Sequence, residues 1–216
     1  MSAVSRAVLA LALVAAPLAA QAPGLPVHGG GFRGGSELIG TIGWSGGESQ
    51  AGDATTFAGT FAYGWSRVGL AGTFGLVSGT LSQATAGALV GLRLLGDGVQ
   101  SPFEVGAFGG AGLLFGGSCA EDTATSTGPC DEAGDWRIPL GASFALAITT
   151  PYVSIRPWLA PRAEIFEALD VEKTMTKFAG SAGVDLRFAG GLGVRMLWEK
   201  VESQDQTLGV GLSYRF

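Results

Sequence analysis

Hydrophobic residues recur at alternate positions over most of this chain, the period of an extended strand with one apolar face. Leu38, Gly40, Ile42 and Trp44 share one face of a first segment. Phe57 to Trp65 and Val68 to Leu76 repeat the pattern, and Ala84 to Leu94 carries Val90, Leu92 and Leu94. Three more segments carry Phe103, Val105, Ala107, Leu113 and Phe115, then Trp136, Ile138, Leu140, Phe144, Leu146 and Ile148, then Val153, Ile155, Leu159 and Ile165. The last three hold Phe178, Val184, Leu186 and Phe188, then Leu192, Val194, Met196 and Trp198, then Leu208, Val210, Leu212, Tyr214 and Phe216. The pattern predicts about ten strands, each long enough for a tilted transmembrane strand.

Connections between these segments alternate in length. Ser45–Ala54, Ser78–Ser82, Gly116–Gly134, Glu167–Lys173 and Val201–Gln206 include the longer, mostly acidic ones. Ser66, Gly96–Ser101, Thr149–Pro151 and Ala189-Gly190 are short. Short turns at one end and long loops at the other, with an even strand count, are the mark of a transmembrane barrel.

Composition points the same way. Charged residues make up 14% of the chain and hydrophobic ones 47%, with a mean hydropathy of +0.35. Yet beyond the N-terminus no apolar run is long enough, or poor enough in glycine, for a membrane helix. In lipid only helices and closed barrels satisfy their own backbone. The expectation is therefore an all-β fold: a closed antiparallel up-and-down transmembrane barrel of about ten strands. Pro157 and Pro161 fall inside the seventh strand, where each removes a ladder donor. They suggest bulges there, and an eight-stranded barrel with one irregular hairpin is the alternative. The net charge of −5 argues against nucleic acid as a partner.

Residues 1–20 form a predicted secretory signal, with Arg6, an apolar stretch from Ala7 to Ala16, and cleavage after Ala20 or Ala22. Residues 21–35 make a Gly-rich periplasmic lead-in, and residues 36–216 the barrel.

Alternation alone does not say which face points outward; a soluble barrel would turn its apolar face inward. The aromatics decide it. Trp44, Phe57, Phe115, Trp136 and Trp198 fall at one rim, and Trp65, Phe103, Tyr152, Phe188, Tyr214 and Phe216 at the other. Two aromatic girdles mark a lipid-facing surface. The lumen face then holds Glu37, Arg67, Arg93, Glu104, Arg137, Arg156, Arg162, Glu164, Asp185, Arg187, Arg195 and Glu199. Buried charges need partners, and the arginine fork suits carboxylates. Two pairing layers are expected, with Glu37, Arg67, Arg93, Glu104, Arg156, Asp185 and Arg187 towards the periplasm. Arg137, Arg162, Glu164 and Glu199 lie outward, with Arg195 and Trp158 between. Trp158 is expected to pack on arginines through cation–π contact.

The terminal strand is more specific. Leu208, Val210, Leu212, Tyr214 and a final Phe216 share one face. This resembles the closing strand of small bacterial outer-membrane β-barrel proteins of the compact, non-porin type. The resemblance implies residence in the cell outer membrane, in contact with its lipid, and recognition of that strand by the barrel assembly machinery.

Catalysis looks poorly provided for. The omptin proteases and the lipid A acylation and deacylation enzymes, which the chain resembles in size, rely on a histidine. The sole histidine here is His28, in the lead-in, so no strand supplies an imidazole base. The chain is expected not to be an enzyme, and no cofactor or metal is expected. Cys119 and Cys130 share the longest loop; in an exported chain they are expected to form a disulfide, amid Glu121, Asp122, Asp131, Glu132 and Asp135. The expected role is structural or surface-interacting, as a monomer with an unidentified surface ligand. A narrow channel for small solutes is the alternative.

Overall fold

The computed structural model describes residues 34–45, 54–78, 82–96, 101–115, 136–168, 173–202 and 206–216. Its strands are β1 (Gly35–Ser45), β2 (Ala54–Trp65), β3 (Val68–Ser78), β4 (Ser82–Leu95), β5 (Phe103–Phe115) and β6 (Trp136–Leu146). They continue with β7 (Ile148–Thr149), β8 (Val153–Ala168), β9 (Lys173–Phe188), β10 (Leu192–Val201) and β11 (Gln206–Arg215). Apart from β6 and β7, neighbours in sequence pair antiparallel, β1 pairs with β11, and β6 pairs with β8. The sheet is thus closed. β7 continues β6 along the same edge of β8, so eleven strands make 11 − 1, or ten, staves. No edge is left to fray or to recruit another chain.

The two faces divide as the alternation requires. Leu38, Phe61, Leu70, Phe74, Val90, Leu140, Phe178 and Leu212 are exposed on the outside, while Ile39, Thr60, Thr73, Leu89, Ser143 and Trp158 are buried inside. A large apolar exterior around a polar, close-packed interior is stable in hydrocarbon and costly in water. The start of β1, Phe216 and the turns at 66–67, 150–152 and 189–191 lie at one end. At 189–191, Gly190 and Gly191 adopt φ of +95° and +88°, a region that favours glycine. A Cβ on Gly191 would also collide with the carbonyl of Arg215.

Three expectations need correction. First, neither proline makes a bulge. β8 keeps an unbroken register with β9 from Val153↔Phe188 to Ala168↔Lys173, including Pro157↔Val184 and Pro161↔Gly180. On the other side, pairing with β6 lapses at residues 142–143 and 146–147, opposite Pro161 and Pro157, and resumes in the same register. The reason is the missing donor. Ala189 N–H donates to Tyr152 O, so even-numbered β8 residues bond to β9 and odd-numbered ones to β6. Both prolines are odd-numbered. The register shift that does occur lies between Arg93 and Leu95 of β4.

Second, Arg67 is not in the lumen: it is exposed in the two-residue turn between β2 and β3. Third, Arg93 sits at the same rim, its Nη2 donating to Ser66 O at 2.5 Å. The alternation of β2 and β3 assigned Arg67 a strand position that the tight turn takes away.

The predicted signal, most of the lead-in, His28, the acidic loop residues, Cys119 and Cys130 lie outside the described residues.

Candidate functional site in the barrel lumen

Chemistry-bearing side chains gather on the staves β8, β9 and β10, with further ones on β5, β6 and β1. Directly opposed positions set the lower layer: Arg156 faces Asp185, and Asp185 faces Arg195. Asp185 is the centre of this layer. Its Oδ1 accepts from Arg195 Nε at 2.7 Å and Trp158 Nε1 at 3.2 Å, and its Oδ2 from Arg195 Nη2 at 3.0 Å and Arg156 Nη1 at 3.4 Å. Arg156 also reaches Glu104 of β5, giving Nε at 3.1 Å and Nη2 at 2.5 Å to the same oxygen. Glu104 is 2% exposed and Arg156 5%. Nearer the mouth where Ser36 meets Phe216, Arg187 pairs with Glu37 at 2.5 Å.

The outer layer is separate. Arg162 Nε donates to Glu164 Oε1 at 2.7 Å, and its two terminal nitrogens reach Ser181 Oγ and Glu199 Oε1. Arg137 donates to Glu164 Oε2 at 3.3 Å and lies over the Phe166 ring, 5.5 Å from its centroid. Lys177 lies 5.2 Å from the same ring.

Between the layers the lumen is apolar. Leu89, Phe108, Trp158 and Leu197 pack together with Ala71, Ala145 and Ala160. Each large member faces a glycine on the neighbouring stave: Leu89↔Gly110, Phe108↔Gly141, Trp158↔Gly183 and Leu197↔Gly209. A Cβ on any of these glycines would press on the side chain opposite. The glycines supply the room that lets these bulky groups pack inside the barrel.

The structure therefore brings Glu37, Glu104, Arg156, Trp158, Asp185, Arg187 and Arg195 together below, and Arg137, Arg162, Glu164 and Glu199 above. It leaves out Arg67 and Arg93. Trp158 differs from expectation: it serves as a hydrogen-bond donor to Asp185, and the cation–π contacts described fall on Phe166 instead. Leu89, Phe108 and Leu197 escape a sequence reading dominated by the apolar outer face, although strand parity already turns them inward. Ser181 has no charge to mark it.

Such an arrangement holds charge rigidly and fills space. Removing one partner of a buried pair strands the other, at a cost. Among the described residues no group of three His, Cys, Asp or Glu side chains is placed to hold a metal ion.

No family model matches the chain, and no curated protein sequence matches it. In structure the chain is similar to the β domain of the Bordetella autotransporter Brka, at 14% identity and a TM-score of 0.53, over 86% of this chain and 100% of that one. It is also similar to the translocator domain of the autotransporter NalP from Neisseria meningitidis, at 14% identity and a TM-score of 0.43, over 84% of this chain and 88% of the other. The N-terminal β-barrel domain of Pseudomonas aeruginosa OprF matches at 10% identity and a TM-score of 0.39, over 85% and 98%. At such identities the likeness is one of fold. That fold is the outer-membrane β-barrel, and the apolar exterior puts this one in the lipid of the cell outer membrane.

Proposed function

We propose that the chain is a closed, non-conducting outer-membrane barrel with a structural or surface-interaction role, whose task is to carry its outer loops. One observation carries the reading: inside the barrel the Glu104–Arg156–Asp185–Arg195 chain ties β5, β8, β9 and β10 together, and Trp158 joins it to the apolar cluster of Leu89, Phe108 and Leu197. Charged groups paired inside low dielectric hold their geometry far more tightly than a hydrated pore lining does. In this reading the barrel is a scaffold. The acidic segment around Cys119 and Cys130, braced by a disulfide, meets a surface ligand outside the cell. Thiol labelling of the unreduced protein tests the bridge.

A narrow channel for small solutes is the second reading, favoured by the small inward residues of β2, β3 and β4, among them Ala58, Thr60, Ala62, Ala71 and Gly87. Catalysis has less to recommend it, since the described residues hold no histidine. Purified, refolded protein in a planar bilayer separates the first two readings. The scaffold gives a flat baseline; large, stable, ohmic steps would overturn it in favour of transport.

A further inference from the structure

Three buried polar atoms in the outer lumen have no hydrogen-bond partner among the described residues: Ser45 Oγ, Thr207 Oγ1 and Glu199 Oε2. Their residues are 2%, 5% and 4% exposed. They also form one row, since Ser45 of β1 faces Thr207 of β11, and Thr207 faces Glu199 of β10. A single orphaned hydroxyl has many causes. Three on adjacent staves at one height point to a shared one, because buried polar groups are rarely left unpaired.

The donor set says what that occupant is. All three atoms are oxygens, one from a carboxylate and two from hydroxyls, which suits a hard cation or a neutral hydroxyl. Charge decides between them. Glu199 already gives Oε1 to Arg162, and in this layer Arg137 and Arg162 balance Glu164 and Glu199. Lys177 adds a further positive charge nearby. A cation would enter with nothing left to neutralise it, whereas a hydroxyl group donates and accepts through one atom. It can give its proton to Glu199 Oε2 and take one from Ser45 or Thr207.

We infer that Ser45, Thr207 and Glu199 form a hydroxyl-binding site in the outer lumen. It takes a water molecule or the hydroxyl of a small neutral polyol, and it stands whether or not the lumen conducts. A buried water needs two to four polar partners, and this row offers three.

The sign of a stability change tests it. In the Ser45→Ala/Thr207→Val double variant an occupied site loses two partners and Glu199 Oε2 loses its donor, so the unfolding midpoint should fall. If the row is empty, removing two unsatisfied hydroxyls leaves the midpoint unchanged or raises it, and the inference fails. Crystals with and without a glycerol soak identify the source. One oxygen-sized peak that glycerol leaves alone assigns water; a glycerol hydroxyl in its place assigns the polyol. Absence of density, or an ion at cation–oxygen distances of about 2.3–2.6 Å, would overturn it.

Discussion

Trp158 of β8 faces Gly183 of β9 directly, and a methyl group on Gly183 would come within 2.5 Å of Trp158 Cζ2 and 2.8 Å of Cε2. The indole thus occupies the space that a side chain on β9 would fill. From there its Nε1 reaches Asp185, two residues further along the same stave. Packing and charge are coupled through this one ring.

Gly183→Ala should therefore destabilise the barrel, by about 1–3 kcal/mol as overpacking does. The carbonyl of Met196 blocks the same space, so a new rotamer for Trp158 gives no escape. Gly180→Ala is the control, since none of the described residues comes within 4 Å of its Cβ position. Urea unfolding in detergent should show a large drop for the first and little change for the second. Equal effects would refute the pairing.

Glu104→Ala removes the carboxylate that accepts two Arg156 nitrogens. Breaking a buried pair costs about 3–5 kcal/mol. Arg156 keeps Asp185, so the lower end of that range is expected. In a double-mutant cycle with Arg156→Ala, the two losses should fall well short of adding. Additive losses would mean that the pair contributes nothing of its own.

Much of the fold was legible in the sequence, because alternation over ten segments fixes face, strand and closure together. The lumen charges were legible for the same reason: parity sends Glu104, Arg156, Asp185 and Glu199 inward whatever their partners. Arg67 failed because parity does not apply inside a two-residue turn. The prolines were misjudged for a subtler reason. Each strand residue bonds to one neighbour only, so a missing donor can open one ladder while the other runs on in register. The glycine opposite each bulky lumen residue was invisible without register, since Leu89 and Gly110, or Trp158 and Gly183, meet only once the staves are aligned.

The seam beside Pro157 and Pro161 should be a labile part of the wall. Pro161→Val restores an N–H opposite Ala142. Its bond would contribute about 0.5–1.5 kcal/mol, offset by about 0.4–1 kcal/mol of lost proline stiffness in the unfolded chain. Melting should change little, so hydrogen exchange is the sharper measurement. The backbone amide that the substitution restores should be protected; exchange at the rate of an open loop would show that β6 and β8 do not pair there.

At the barrel's closing seam, β1 and β11 share nine residue pairs, from Glu37↔Arg215 to Ser45↔Thr207. Beyond the strand, Phe216 N–H donates to Ser36 O at 3.1 Å, and its ring stacks on Tyr214 at 6.2 Å. We expect deletion of Phe216 to reduce outer-membrane assembly in cells, while the refolded barrel loses only these end contacts. Membrane fractionation gives the answer. Normal outer-membrane levels of the truncated chain would mean that the terminal aromatic is not an assembly signal here.

Trp158 also joins the charged lower layer to the apolar one, which makes it the most direct test of a closed bore. It is 4% exposed and lies between Asp185 and Gly183. Trp158→Ala removes the largest side chain of the apolar layer and opposes a glycine, so no neighbour on β9 can fill the gap. It also takes one donor from Asp185, which keeps both arginines. The lower layer should therefore stay intact while the apolar layer opens. Stability should fall by about 3–5 kcal/mol, as for a large aromatic truncated in a core. Conductance in a planar bilayer should rise from near zero to small, flickering steps, limited by the arginines that remain. A Trp158→Ala/Asp185→Ala double variant should conduct more steadily than either single one. If Trp158→Ala folds and the baseline stays flat, the apolar layer is not what closes the lumen, and the charged layers alone hold it shut.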